Sequence, residues 1–203
     1  MLLKQTDYQR IYRVINSLLL NEGAAPEVCC IFFAGFGAYI LEKHFNINAY
    51  PRAGLAVYNV GGANALFFGE EVNGRVTGEK DGFHCWVEAD GWVGDFMAPA
   101  FSRLSQEEVK IPSKMFQKPL SRMSPSPDKM ANVGDFYLES TDFSTRKHMH
   151  ILNNRPAYAD LAQIAVQWFK KSPKKMVPSI QVGGKSNRLN TVTLEGETLV
   201  GTW

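Results

Sequence analysis

A cysteine, a histidine and an aspartate stand in the order Cys30, His84, Asp95 in the first half of the chain. Together these types can run nucleophilic acyl chemistry: a thiolate attacks, an imidazole moves the proton, and a carboxylate orients the ring and stabilises imidazolium. The segment from Phe83 to Asp95, FHCWVEADGWVGD, decides whether the last two meet. Aromatic and β-branched residues flank Asp90-Gly91, a pair suited to a two-residue type I′ turn because both central positions need positive φ. A turn there pairs Ala89 with Trp92, Val87 with Gly94 and Trp86 with Asp95. His84 then lies on Asp95's face as its diagonal neighbour, with Cβ atoms somewhat under roughly 7–8 Å apart, within reach of a side-chain hydrogen bond. A one-residue slip would put the two on opposite faces. The same register points Cys85 away from His84 and gives it a packing role.

The nucleophile must come from another element. A helix is expected from Pro26, which tolerates a first helical position, through Cys30, Phe33, Ala34, Tyr39 and Leu41 to about His44. It is apolar over most of its circumference and reads as a buried central helix. Cys30 falls in its first turns, where the positive end of the macrodipole and a nearby imidazole lower a thiol's pKa. Backbone N–H groups there also face a developing oxyanion. The adjacent Cys29 reads as a buried core thiol.

Around these residues the pattern is α+β. Residues 7 to 20 space Tyr8, Ile11, Tyr12, Ile15, Leu18 and Leu19 as an amphipathic helix, with Thr6 and Gln9 as a capping box. Residues 53 to 60 and 65 to 68 read as strands joined at Gly61-Gly62, and the glycine-rich stretch 69 to 82 as a loop. With the segment 83 to 95 they give four antiparallel strands after a buried helix. Residues 102 to 132 hold four prolines and read as loop with a short helix near Ser105 to Val109. A strand is expected over 133 to 140 and a helix over 156 to 171, with Tyr158, Leu161, Ile164, Ala165 and Trp168 inward. Strands are expected at Val177 to Val182, Asn190 to Glu195 and Thr198 to Trp203, the last two hinged at Gly196-Glu197.

Cys30-Ile31-Phe32-Phe33-Ala34, with an aromatic three and an alanine four positions after the cysteine, resembles the nucleophile helix of the transglutaminase-like branch of the papain-like thiol enzymes. His84-Cys85-Trp86-Val87-Glu88, then Gly91-Trp92-Val93 and Asp95, is similar to that superfamily's segment of His, Trp two later and Asp about ten later on adjacent strands. The resemblance covers about residues 20 to 100. It implies a catalytic core there, a nucleophile helix packed on an antiparallel sheet, with 101–203 an α+β elaboration of the same single domain, 1–203. It further implies a Cys30, His84, Asp95 triad acting through a thioester on a peptide or small amide or acyl substrate. Family members include transamidating enzymes, peptidases, amidases and arylamine acetyltransferase relatives, and some that have lost catalysis. The upstream oxyanion side chain of papain-like enzymes has no clear counterpart; Asn21 is the nearest amide.

Composition narrows the remainder. Of 203 residues, 45% are hydrophobic, enough for a substantial core, and the 22 Lys plus Arg against 20 Asp plus Glu are interspersed. That balance argues for neither nucleic acid nor an anionic membrane as partner. The start lacks a signal-peptide pattern, no long apolar run exists, and three cysteines, two of them adjacent, argue for reduced thiols, so a cytoplasmic protein is expected. No cofactor or metal is implied. A zinc site at Cys29, Cys30, His84 and Asp95 would need two adjacent cysteines as ligands, a poor spacing. His148 and His150, at strand spacing without acidic or thiol neighbours, read as surface residues, and the lysines at 170, 171, 174 and 175 as a solvated helix end. The rival to an enzyme is a non-catalytic binding or scaffold protein on the same fold, its triad vestigial and its cysteine sealed.

Overall fold

The computed structural model describes residues 1–61, 64–105, 110–183 and 189–203. The chain opens with α1 (Gln5–Asn21) and α2 (Cys30–Ile40), followed by β1 (Ala49–Gly61), β2 (Asn64–Phe68), β3 (Glu70–Val72) and β4 (Arg75–Thr77). Next come β5 (His84–Ala89), β6 (Trp92–Asp95), β7 (Phe116–Pro119) and β8 (Phe136–Ser140). Two helices, α3 (Asp142–Asn153) and α4 (Tyr158–Trp168), and a last pair of strands, β9 (Ser179–Gly183) and β10 (Leu189–Thr193), complete it. The class is α+β.

Six strands form one antiparallel sheet, in the order β2, β1, β5, β6, β7, with β8 also on β1. Gly54 of β1 pairs with both His84 and Ser140, and Ala56 with both Phe68 and Leu138. One edge of β1 therefore takes β5 and then β2, while β8 runs along the other. The sheet forks at Gly54, with His84 at the end of one branch and Phe68 at the end of the other. Only glycine fits at the fork: a Cβ on Gly54 would stand 2.0 Å from the Glu139 carbonyl oxygen, and one on Gly78 2.0 Å from the Gly54 carbonyl carbon.

The helices cover the sheet. On α1 the six expected apolar positions are buried. The capping box does not form: α1 starts two residues earlier, with Lys4 as an uncapped N-cap, and Asp7 in its first turn accepts the Ser172 N–H at 2.7 Å. Helix α2 packs on β5 and β1 and is flanked by α1 and α4. It is buried nearly all round, as its composition predicts. Gly37 lets α2 close onto the residue after β6, since a Cβ there would lie 2.3 Å from the Phe96 ring.

Several expectations are corrected. Pro26 opens only a short 3-10 turn, Pro26–Val28; the backbone breaks at Cys29 (φ −107, ψ 33), and the α-helix begins at Cys30. The stretch 69 to 82 contains the small hairpin of β3 and β4, turned by Asn73 and Gly74 at positive φ. Strand β7 lies inside the proline-bearing stretch read as loop, and α3 replaces the strand spacing read at His148 and His150. Strand β10 pairs with β9, whereas residues 200 to 203 run beside 113 to 115, with Met115 N–H bonded to Gly201 O and Trp203 N–H to Met115 O. Gly62 and the short helix near Ser105 to Val109 fall wholly or largely outside the described residues. Among the described residues no helix is long and apolar enough to cross a membrane.

Candidate active site

The Asp90-Gly91 turn forms as its chemistry demands, with φ of 50 and 76. It sets Ala89 opposite Trp92, Glu88 opposite Val93 and Val87 opposite Gly94. That register brings His84 and Asp95 onto one face, and His84 Nε2 meets Asp95 Oδ2 at 2.6 Å with both side chains wholly buried. Asp95 is held from two further directions: Oδ1 accepts the Met97 N–H at 3.0 Å, and its carbonyl accepts the Tyr8 hydroxyl, which itself accepts the Phe116 N–H. Asp95 is thus fixed through its carboxylate by the turn after β6 and through its carbonyl by α1. Phe68, at the other branch of the fork, stacks on the His84 ring at 4.3 Å, and Tyr58 stands edge-on to it at 5.7 Å.

With Nε2 engaged by Asp95, His84 Nδ1 is the ring atom left over, and it has no hydrogen-bond partner among the described residues. Cys30 occupies the first position of α2. Its thiol is pulled down to about 5 by the neighbouring Cys85 thiol and by the His84 imidazole and its charge, against burial and the charge of Asp95. Burial pulls His84 down, but the charge and hydrogen bond of Asp95, with the Cys30 thiol, raise it to about 10. Thiolate beside imidazolium is therefore the resting pair near neutrality. Cys29 differs sharply. Burial, reinforced by Cys30 and Glu27, raises it to about 11, and its Sγ donates to the Ala25 carbonyl at 3.2 Å. Pro26 O is taken by Cys29 N–H, so the Cys30 N–H begins the helix without an acceptor four residues back, a donor for an oxyanion.

Cys30 and His84 line a cleft of about 320 Å³, walled on one side by Phe67, Phe68 and Phe83 from the fork of the sheet. Cys30 is 7% exposed. Cys85 is buried in the core, as expected, on β5 where α2 packs, and its thiol is the largest influence lowering Cys30. Burial raises the Cys85 pKa, so it stays a neutral donor. Asn21 bonds Glu22 and lines a separate cavity, so it takes no part. Trp86 is core, its indole N–H donating to Glu88 at 3.1 Å. Among the described residues no three of His, Cys, Asp and Glu are arranged to hold a metal ion. His148 is no surface residue: it is buried on α3 and stacks on Phe83 at 3.6 Å.

A family model matches residues 4–203, essentially the whole length over which this geometry is built. The chain belongs to the DUF2026 family. That family is described as proteins of unknown function. A solved crystal structure, that of genomics APC5867, shares the fold at a TM-score of 0.90 with 46% identity, covering 100% of this chain and 98% of its own. Among curated proteins none matches.

Proposed function

We propose that this member of the DUF2026 family is a thiol-dependent amide hydrolase or acyl transferase, with a transglutaminase-like core of the papain-like superfamily. Cys30 is the nucleophile, His84 the general acid and base, and Asp95 the residue that orients the ring. The observation that carries this is the buried 2.6 Å bond between His84 and Asp95, which leaves the other ring nitrogen to a thiol at a helix start. The Cys30 thiolate attacks the substrate carbonyl, and the oxyanion forms beside the Cys30 N–H. His84 gives its proton to the leaving nitrogen, the C–N bond breaks and a thioester remains. Water or an amine then attacks the thioester while His84 takes the proton, and the C–S bond breaks to restore the thiolate. A vestigial triad calls for a sealed cysteine; Cys30 lines a cleft, which favours chemistry.

The test is the pH dependence of alkylation by iodoacetamide, followed by intact mass and peptide mapping. Cys30 is expected to react ahead of Cys29 and Cys85, its rate rising through a midpoint near pH 5 and already level at neutrality. His84→Ala should move that midpoint toward the ordinary thiol value of about 8.5. A wild-type midpoint at the ordinary value sinks the proposal.

A further inference from the structure

The walls of the Cys30 cleft divide by chemistry. Its apolar side is aromatic, built by Phe67, Phe68 and Phe83, with Phe67 about half exposed at the mouth. The charged residues in its lining, apart from His84, are Glu27 and Asp81, and neither lysine nor arginine is among them. Asp81 makes no ion pair among the described residues. Its N–H is instead held by the carboxylate of Glu70 at 2.9 Å, which puts a second negative charge beside it. Nearby, Lys147 donates to the Glu79 carbonyl at 2.6 Å. Arg103 is 3.6 Å from Glu27 but closer to Glu197, at 2.7 Å.

We propose that the cleft takes a cationic substrate: an amide or ester whose acyl part carries a positive side chain, of the arginyl or lysyl kind, beside a bulky apolar group. The apolar group lies on the phenylalanine wall, where burial of its area drives binding. The positive end meets Asp81 and Glu27, which reject anionic acyl groups as well as attract cationic ones. This rests on the acyl chemistry proposed for Cys30.

The experiment compares three N-benzoyl amino acid p-nitrophenyl esters, with arginine, its neutral isostere citrulline, or glutamate as the amino acid. Acylation is followed as p-nitrophenolate release and as the thioester mass on Cys30, with iodoacetamide labelling of the same protein as the small neutral reference. The arginyl ester is expected to acylate about fivefold faster than the citrulline ester, the worth of one half-exposed ion pair. The glutamyl ester should be slower than both. Asp81→Asn, at an exposed site with no ion pair to lose, should remove most of the preference, and Glu27→Gln the remainder; high salt should shrink it. Equal rates for the three esters, or a faster glutamyl ester, with Cys30 still labelled rapidly by iodoacetamide, overturn the charge assignment and leave the thiol chemistry standing. Labelling of Cys30 at an ordinary thiol's rate overturns both.

Discussion

Two adjacent cysteines differ in acidity because they face different partners. Cys29 closes the 3-10 turn, spends its thiol on Ala25 O and stays protonated. Cys30 faces His84 and Cys85 and ionises. The His84 and Asp95 pairing was legible in the sequence because an Asp-Gly turn fixes register from two residues alone. The Cys85 contribution was not, because alternation along a strand says which face a residue takes but not which helix crosses that face. This contact carries a prediction. Cys85→Ala removes the thiol that contributes most to lowering Cys30, so the alkylation midpoint of Cys30 should move up from about 5 while His84 remains in place. A midpoint unchanged in a variant of native near-UV dichroism would show that Cys85 only packs.

At the scale of elements, α3 shows how a helix with a narrow, mostly polar inward face escapes notice in the sequence. Its inward positions are Ser144, His148 and Leu152, one apolar residue in three, so no apolar stripe marks the face. Thr141 and Ser144 cap it reciprocally, a weaker signature than a Glu at the same place. Strand β7 escaped for the opposite reason: four residues ending in a proline carry too little alternation to stand out from the loop around them. The cost of burying His148 is measurable. Neither ring nitrogen has a partner among the described residues, and burial lowers its pKa. A base with a depressed folded pKa favours the neutral state in the fold, so its contribution is present above the unfolded value of about 6.5 and is lost as pH falls below it. Urea unfolding of the wild type should weaken between neutral pH and pH about 5 more than unfolding of His148→Phe does. Equal acid sensitivity in the two proteins would show that His148 titrates freely. Because His148 stacks on Phe83, this acid loosening is directed at the wall of the cleft.

Across the whole molecule, the ends of the chain are tied to its middle by one guanidinium. Arg103 bonds Glu197 near the C-terminus through Nε at 2.7 Å and Nη2 at 3.1 Å, meets Asn16 of α1 at 3.0 Å, and faces Glu27 of the cleft at 3.6 Å. Nothing local announces such a tie. The final residues alternate like a strand and were read as half of a hairpin with the segment before Gly196, yet they cross to residues 113–115 over a sequence distance that no pattern spans. Arg103→Met keeps the stem and removes the charge, taking the guanidinium from the partly buried Glu197 and Glu27 and from the Asn16 amide oxygen, while the Tyr12 hydroxyl still donates to Glu197. The loss should be about 1–3 kcal/mol in urea unfolding at neutral pH, since the groups left behind stay partly desolvated. For a chain of this size that is roughly 2–4 °C in Tm per kcal/mol. The pH dependence has a definite sign. Burial already raises the Glu197 carboxyl, and without Arg103 it rises further, so the variant regains stability as acid protonates it. The deficit should therefore shrink between neutral pH and pH about 5, and a deficit that instead grows with acid would locate Arg103's contribution in packing of its stem. The same variant separates scaffold from cleft: freeing Glu27 of its cation makes the mouth more acidic, so the preference for the arginyl ester should rise while overall stability falls.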